Sequence, residues 1–168
     1  MSEAFDRALE TGIKTETDGM QMYQRAADNT KNKLGKALFE SMVKEEQKHL
    51  NALRAHVGKK AWARPKTVFR ETIRTVFREA TREIKERLKA DPNDVEAIQI
   101  ALEFERKGYH MYKEDAAKVT EPKGKALFEW LANEENEHFK VLQDLSEYLE
   151  HNYSWFTAEE CPILDGGP

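Results

Sequence analysis

The stretch Glu46-Gln47-Lys48-His49 and its echo Glu135-Asn136-Glu137-His138 decide the reading of this chain. Each is a Glu-x-x-His inside a long helix-forming run. Residues three apart share a helix face, so each stretch aims a carboxylate and an imidazole at one place. Each also has partners upstream. Glu16 and Tyr23 precede the first stretch, and Glu105 and Tyr112 precede the second. One offset of 89 residues carries Glu16, Tyr23, Glu46 and His49 onto Glu105, Tyr112, Glu135 and His138. The same offset carries Gly35-Lys36-Ala37-Leu38-Phe39-Glu40 onto Gly124-Lys125-Ala126-Leu127-Phe128-Glu129. Six identical residues in register mark an internal repeat. The repeat predicts a duplicated helical hairpin that builds a two-metal site.

Working outward, the repeats read as four helices, A to D. Helix A is expected from about Glu3 to about Asn29, with an inner seam of Phe5, Leu9, Gly12, Glu16, Gly19, Tyr23 and Ala26. Its spacings alternate four and three, the rhythm of bundle packing. Asn29 to Asn32 reads as a tight turn. Helix B, from about Leu34 to about His56, carries Phe39, Met42, Glu46, His49, Leu53 and His56 on its seam. Helix C, from about Asn93 to about Val119, carries Ile98, Ala101, Glu105, Gly108 and Tyr112. Thr120 to Gly124 reads as the next turn. Helix D, from about Lys125 to about His151, carries Phe128, Leu131, Glu135, His138, Leu142, Leu145 and Leu149. Short A–B and C–D loops make each pair antiparallel neighbours.

Residues 58–92 form a long connection. Pro65 is placed to start a helix, and Phe69, Ile73, Val76, Phe77, Ala80, Ile84 and Leu88 follow at helical spacing. A helix of ~22 residues spans roughly 33 Å, enough to cross a bundle from end to end. Asp91 and Pro92 suit the cap and first position of helix C. The predicted class is therefore all-α. Residues 1–151 form one four-helix bundle, with two duplicated antiparallel hairpins and a helical crossover between helices B and C. Residues 152–168 form an irregular tail, in which Trp155 and Phe156 are expected to pack back.

Composition narrows the setting. Charged residues are 35% of the 168, yet the net charge is only -4. No apolar run is long enough to span a membrane, and the acidic N-terminus lacks an apolar signal region, so a cytoplasmic protein is expected. Cys161 is the single cysteine, which excludes an intrachain disulfide or a four-cysteine metal site. The connection from Val57 to Ala90 holds eleven Lys/Arg against four Glu, with Arg70, Arg74, Arg78 and Arg82 repeating every four residues. A solvated helix face is the simple reading of that stripe. A docking patch for an acidic electron-transfer partner is the functional one. Nucleic acid is not expected as a partner, because the chain is acidic overall and the stripe lacks interleaved aromatics.

The seams impose an electrostatic demand. Four glutamates and two histidines meet at one level of the core, and no lysine or arginine lies on any seam. A buried ion costs several kcal/mol even after relaxation, about that much for each acid. Two dications would cancel four negative charges. Four carboxylates and two imidazoles suit iron or manganese, with zinc also accommodated.

One Glu on each of two helices and Glu-x-x-His on each of the other two resembles the ferritin-like di-iron carboxylate bundles. The Glu-x6-Tyr spacing at Glu16–Tyr23 and Glu105–Tyr112 is most similar to the rubrerythrin branch, as are Trp155-Phe156 and Leu164-Asp165-Gly166-Gly167. The resemblance implies two iron ions, with Glu46 and Glu135 bridging them and Glu16 and Glu105 as terminal ligands. His49 and His138 would each bind one iron. Tyr23 and Tyr112 would donate hydrogen bonds that orient the acids. It implies reduction of hydrogen peroxide with electrons from an external donor such as a rubredoxin, with Glu46, Glu135, Tyr23 and Tyr112 as the reacting environment. Reaction with dioxygen as a ferroxidase is the alternative, and a non-redox metal-holding bundle is a third. A homodimer is expected, closed or with exchanged hairpins. Two departures stand out. The paired Cys-x-x-Cys of a rubredoxin domain are not in this sequence, and Gly108 stands where rubrerythrins often place a further glutamate. The remaining histidines are expected outside the ligand set, with His56 in the core below His49, and His110 and His151 exposed.

Overall fold

The structure is a computed structural model, and it describes residues 3–58 and 92–151 together with residues 60, 63, 69, 71 and 73. Four long helices account for the two continuous segments. They are α1 (Glu3–Asn29), α2 (Lys33–Val57), α3 (Pro92–Lys118) and α4 (Pro122–His151). Each hairpin closes through a short link with its own chemistry. Asn32 caps α2 from an extended backbone conformation, and its Oδ1 accepts from Leu34 N at 2.9 Å and Gly35 N at 3.1 Å. Those are two of the amide groups a helix start leaves without internal partners. Thr30 Oγ1 accepts in turn from Asn32 N at 3.1 Å. At the far end of α2, the Gly58 amide donates to Arg54 O at 2.9 Å. Arg54 and His56 sit in the last turn, where positive charge complements the helix dipole.

Two apolar clusters fill the bundle. One gathers Tyr23, Phe39, Met42, Ile98, Leu142 and Leu145. The other gathers Phe5, Leu9, Leu53, Tyr112, Phe128 and Leu131. The first takes the C-terminal halves of α1 and α4 and the N-terminal halves of α2 and α3. The second takes the opposite halves. So α1 and α2 run antiparallel, α3 and α4 run antiparallel, and α2 and α3 both point toward the second cluster. The chain leaving α2 must therefore return the full length of the bundle before α3 can start. Phe69 and Ile73, both helical and buried, join the first cluster, which places them on that return path.

The internal repeat is visible in the packing. Tyr23 stacks on Phe39 with ring centroids 6.3 Å apart, and the equivalent pair Tyr112 and Phe128 stacks at 6.0 Å. The described seam residues are buried as expected apart from half-buried His56, and two further adjustments appear. Ala27 rather than Ala26 completes the α1 seam, because 3.6 residues per turn drifts from a strict heptad by the fourth turn. Pro122 to Gly124 belong to the first turn of α4 and not to a loop, since a proline missing its amide is at home at the first helical position. Leu149, the arginine stripe Arg70, Arg74, Arg78 and Arg82, and the tail with Trp155, Phe156 and Cys161 lie outside the described side chains.

The repeat also pairs Gly35 with Gly124, whose surroundings differ. A Cβ at Gly124 would meet Phe5 Cε2 at 2.7 Å and Val119 Cγ1 at 2.8 Å, whereas at Gly35 the nearest atom, Thr30 Oγ1, is 3.5 Å away. Gly124→Ala should therefore lose about 1–3 kcal/mol through overpacking. Gly35→Ala should gain up to about 1 kcal/mol from helix propensity. Urea unfolding of the two variants beside the parent checks both signs, and equal midpoints would contradict the packing.

Candidate metal centre

Between the two apolar clusters lies one polar layer. Glu16 projects from α1, Glu46 and His49 from α2, Glu105 from α3, and Glu135 and His138 from α4, and all six are buried. Their donor atoms form two overlapping groups. Glu16, Glu46, His49 and Glu135 make one, and Glu46, Glu105, Glu135 and His138 make the other, with ligand atoms within 4.8 Å of one another in each. Glu46 and Glu135 belong to both groups. His49 Nδ1 lies 3.2 Å from Glu16 Oε2, 3.2 Å from Glu135 Oε1 and 3.7 Å from Glu46 Oε2. His138 Nδ1 lies 3.3 Å from Glu105 Oε2, 3.6 Å from Glu46 Oε1 and 3.9 Å from Glu135 Oε2. Ligands held about 2.1 Å from one ion stand about 3–4 Å from each other, so these spacings match a shared cation.

The two tyrosines cross between hairpins. The Tyr23 hydroxyl of α1 donates to Glu105 Oε1 of α3, and the Tyr112 hydroxyl of α3 donates to Glu16 Oε1 of α1. Each fixes one oxygen of an acid whose other oxygen faces a histidine. Gly12 makes room for this, since a Cβ there would sit 3.2 Å from the Tyr112 hydroxyl. Gly19 and Gly108 lie one turn beyond Glu16 and Glu105. A Cβ at Gly19 would meet the Phe104 ring at 2.8 Å and reach ordinary contact with the Glu46 carboxyl carbon at 3.5 Å, and one at Gly108 would lie 3.3 Å from Glu135 Oε2. The Gly108 departure noted in the sequence thus leaves Glu135 leaning directly on the α3 backbone.

The layer without a cation is frustrated. Both oxygens of Glu46, Oε2 of Glu105, Oε1 of Glu135 and Nδ1 of His138 are buried without a hydrogen-bond partner among the described residues. Protons must then do the work of positive charge. Burial, then the charge of Glu16, raises the Glu46 pKa well above the usual carboxyl range. Burial, then the charges of Glu105 and Glu16, does the same to Glu135. Burial also pushes Glu16 and Glu105 up. It is outweighed by close approach of the neighbouring acids Glu46 and Glu135 and by the facing imidazoles, which hold both below the ordinary value. At His49 burial disfavours the cation, but the Glu16 charge, close approach to Glu135 and the hydrogen bond to Glu16 raise its pKa well above normal. Burial, followed by the nearby carboxylates, raises Tyr23 and Tyr112, so both remain donors. Two dications would replace these protons and satisfy the orphaned oxygens, so the residues present fit a two-metal centre.

The comparisons with known proteins agree with this layer. The family model described as Rubrerythrin matches residues 7–146. The chain belongs to the rubrerythrin family. A hypothetical protein from Pyrococcus furiosus has a similar solved structure, with a TM-score of 0.61 at 22% identity over 87% of this chain and 90% of that one. At that identity the likeness speaks for the fold alone. A comparison with curated proteins finds no match. Among the described residues, no helix of this rubrerythrin-family chain is long and apolar enough to cross a membrane.

All six residues singled out as ligands meet in the layer, and both tyrosines touch it. His56 does not. It is half-buried, and its Nδ1 pairs with Ala52 O of its own helix at 2.9 Å. His110 is exposed, and the side chain of His151 lies outside the described residues. Two aromatic neighbours of the histidines escaped the sequence reading. Trp130 stands across from His49, and Phe69 across from His138. The mismatch of Trp130 with Ser41 at one repeat position was the available signal.

The proton balance sets a pH dependence. Glu46, Glu135 and His49 bind protons more tightly folded than unfolded. Their stabilisation is full below their ordinary pKa values and is lost as pH rises through the raised ones. Glu16 and Glu105 act oppositely, and their contribution is lost as pH falls below the ordinary carboxyl range. Metal-free protein should thus have a Tm that falls between about pH 5 and about pH 8, and a divalent ion should flatten or invert that slope by displacing the protons. Thermal unfolding followed by circular dichroism with and without metal checks this. A metal-free Tm climbing steadily over that range would contradict it.

Proposed function

We propose that this protein is a di-iron oxidoreductase that reduces hydrogen peroxide to water with electrons from an external donor such as a rubredoxin. The observation that carries the reading is the pair of overlapping donor groups sharing Glu46 and Glu135. In this reading Glu46 and Glu135, which belong to both donor groups, would be shared by two irons. Glu16 and His49 complete one coordination set, and Glu105 and His138 the other. Iron held by these six residues would supply redox and Lewis-acid chemistry. Each hydrogen peroxide takes up two electrons and two protons and leaves as two waters. The chain's own residues set the stage for this. Tyr23 and Tyr112 keep their protons and pin one oxygen each of Glu105 and Glu16, so those acids cannot swing. The apolar clusters on either side exclude water, which strengthens every interaction of the layer. Manganese or zinc would suit the same donors but would supply different chemistry or none.

A ferroxidase, in which dioxygen is the oxidant and iron the cargo, is the second reading. Gly108 favours it, because with no further glutamate there each set offers the same types of ligand.

Two measurements test the centre and the reaction. Glu46→Ala and Glu135→Ala should each abolish uptake of both ferrous ions. Glu16→Ala should weaken mainly one, leaving about one ion per chain. Anaerobic titration with metal analysis reads the stoichiometry, and normal loading by Glu135→Ala would overturn the centre. Stopped-flow mixing of the ferrous-loaded protein should show peroxide consumed at least about tenfold faster than dioxygen, a difference of about 1.4 kcal/mol in barrier. The reverse order would favour the ferroxidase.

A further inference from the structure

Both histidines present Nδ1 to the acids, at 3.2 to 3.9 Å. The opposite nitrogen, Nε2, is buried in each and has no hydrogen-bond partner among the described residues. Metal-binding imidazoles usually donate that second N–H to a carboxylate or carbonyl, which fixes the tautomer and the ring. Here the neighbour is aromatic. The Trp130 ring lies perpendicular to His49, at 88° and 5.3 Å between centroids. The Phe69 ring stands at 72° and 4.6 Å from His138. Perpendicular rings at such distances bring an electron-poor edge to an electron-rich face, and an N–H is the most positive edge an imidazole has.

We infer that Trp130 and Phe69 are positioning residues, which accept the Nε2–H of His49 and His138 on their ring faces and so keep both Nδ1 lone pairs directed at the metals. The inference rests on the two-metal reading above and adds how its imidazoles are held. Charge explains the choice of an aromatic face. Four carboxylates already balance two dications, so a fifth acid behind either histidine would leave a buried negative charge uncompensated. A π face orients the ring and adds no charge.

The arrangement also breaks the symmetry of the repeat. The counterpart of Trp130 is Ser41, which carries no ring, and its hydroxyl donates to Ala37 O at 2.8 Å. The first hairpin therefore cannot do for His138 what the second does for His49. Phe69, from the chain between the hairpins, takes that place. The indole face is the richer in electrons, so the two metal positions differ although their ligands match.

The test uses the full chain loaded with zinc, which keeps the protein diamagnetic, and then with cobalt(II). Proton–nitrogen NMR of the zinc form should find Nε2 protonated in both histidines. The Hε2 resonance of His49 should move upfield under the indole ring current and return downfield in Trp130→Phe, whose smaller ring shifts it less. A His49 Hε2 shifted downfield by the indole would place that proton in the ring plane and overturn the inference. In cobalt titrations against a chelator, Trp130→Leu should weaken one of the two ions by about tenfold, at the low end for such supporting contacts. Trp130→Phe should recover most of that loss, and Phe69→Leu should weaken the other ion. Equal affinities for the Leu and Phe variants would reduce Trp130 to a space-filler. Should a Leu variant fail to fold, the wild-type resonance decides alone. A wild-type chain that takes up fewer than two ions would instead defeat the two-metal reading itself.

Discussion

Four carboxylates placed at one height inside an apolar bundle are the constraint on which this structure turns. All four are buried, and among the described residues no lysine or arginine side chain enters the layer. Burial alone would drive each acid to keep its proton. The fold answers by sorting the acids into two kinds. The tyrosine-held Glu16 and Glu105 are kept below the ordinary carboxyl range, while burial and neighbouring charge push Glu46 and Glu135 well above it. That division coincides with the geometric one between acids found in one donor group and acids found in both. The acids that hold protons most tightly are those that two cations would share. Metal loading is then an exchange of protons for metal charge at fixed geometry.

The remainder of the bundle holds this layer still. Apolar clusters above and below it fix the helix separations, and glycines at 12, 19 and 108 leave room for the Tyr112 hydroxyl, the Phe104 ring and the Glu135 carboxylate. A helix interior gives up about 0.5–1 kcal/mol for each glycine relative to alanine. Three such positions around one polar layer mark where stability has yielded to close approach. Exposed pairs such as Lys14–Asp18 and Lys118–Glu114 add little, as surface ion pairs do.

Most of this was legible in the residue order because two periodicities coincide. The helical period placed Glu46 beside His49, and the repeat offset supplied the matching half, so the four helices and all six candidate ligands followed from the sequence. The antiparallel pairing followed too, since links as short as Thr30–Asn32 permit nothing else. What the sequence could not convey depended on contacts between segments with no fixed offset. That Tyr23 serves Glu105 rather than Glu16, its neighbour in sequence, depends on how the hairpins dock. The aromatic partners of the histidines were hidden for the same reason. Phe69 reads as one more residue of an apolar stripe, and Trp130 lies off the seam that the sequence marks on helix D. Pro122 was read as a loop residue because a Pro-x-Gly sequence signals a turn as readily as a helix start.

The crossed tyrosines have an evolutionary corollary. Tyr23 reaches into the opposite hairpin and Tyr112 reaches back, so neither half of the chain owns a finished centre. An ancestor of half this length could have built the same layer only by meeting a second copy of itself about a twofold axis. Carrying both halves on one chain replaces such an encounter by a tether, which makes a concentration-dependent assembly intramolecular. Once joined, the halves no longer had to be identical, and a serine facing a tryptophan across the repeat is what such freedom leaves behind.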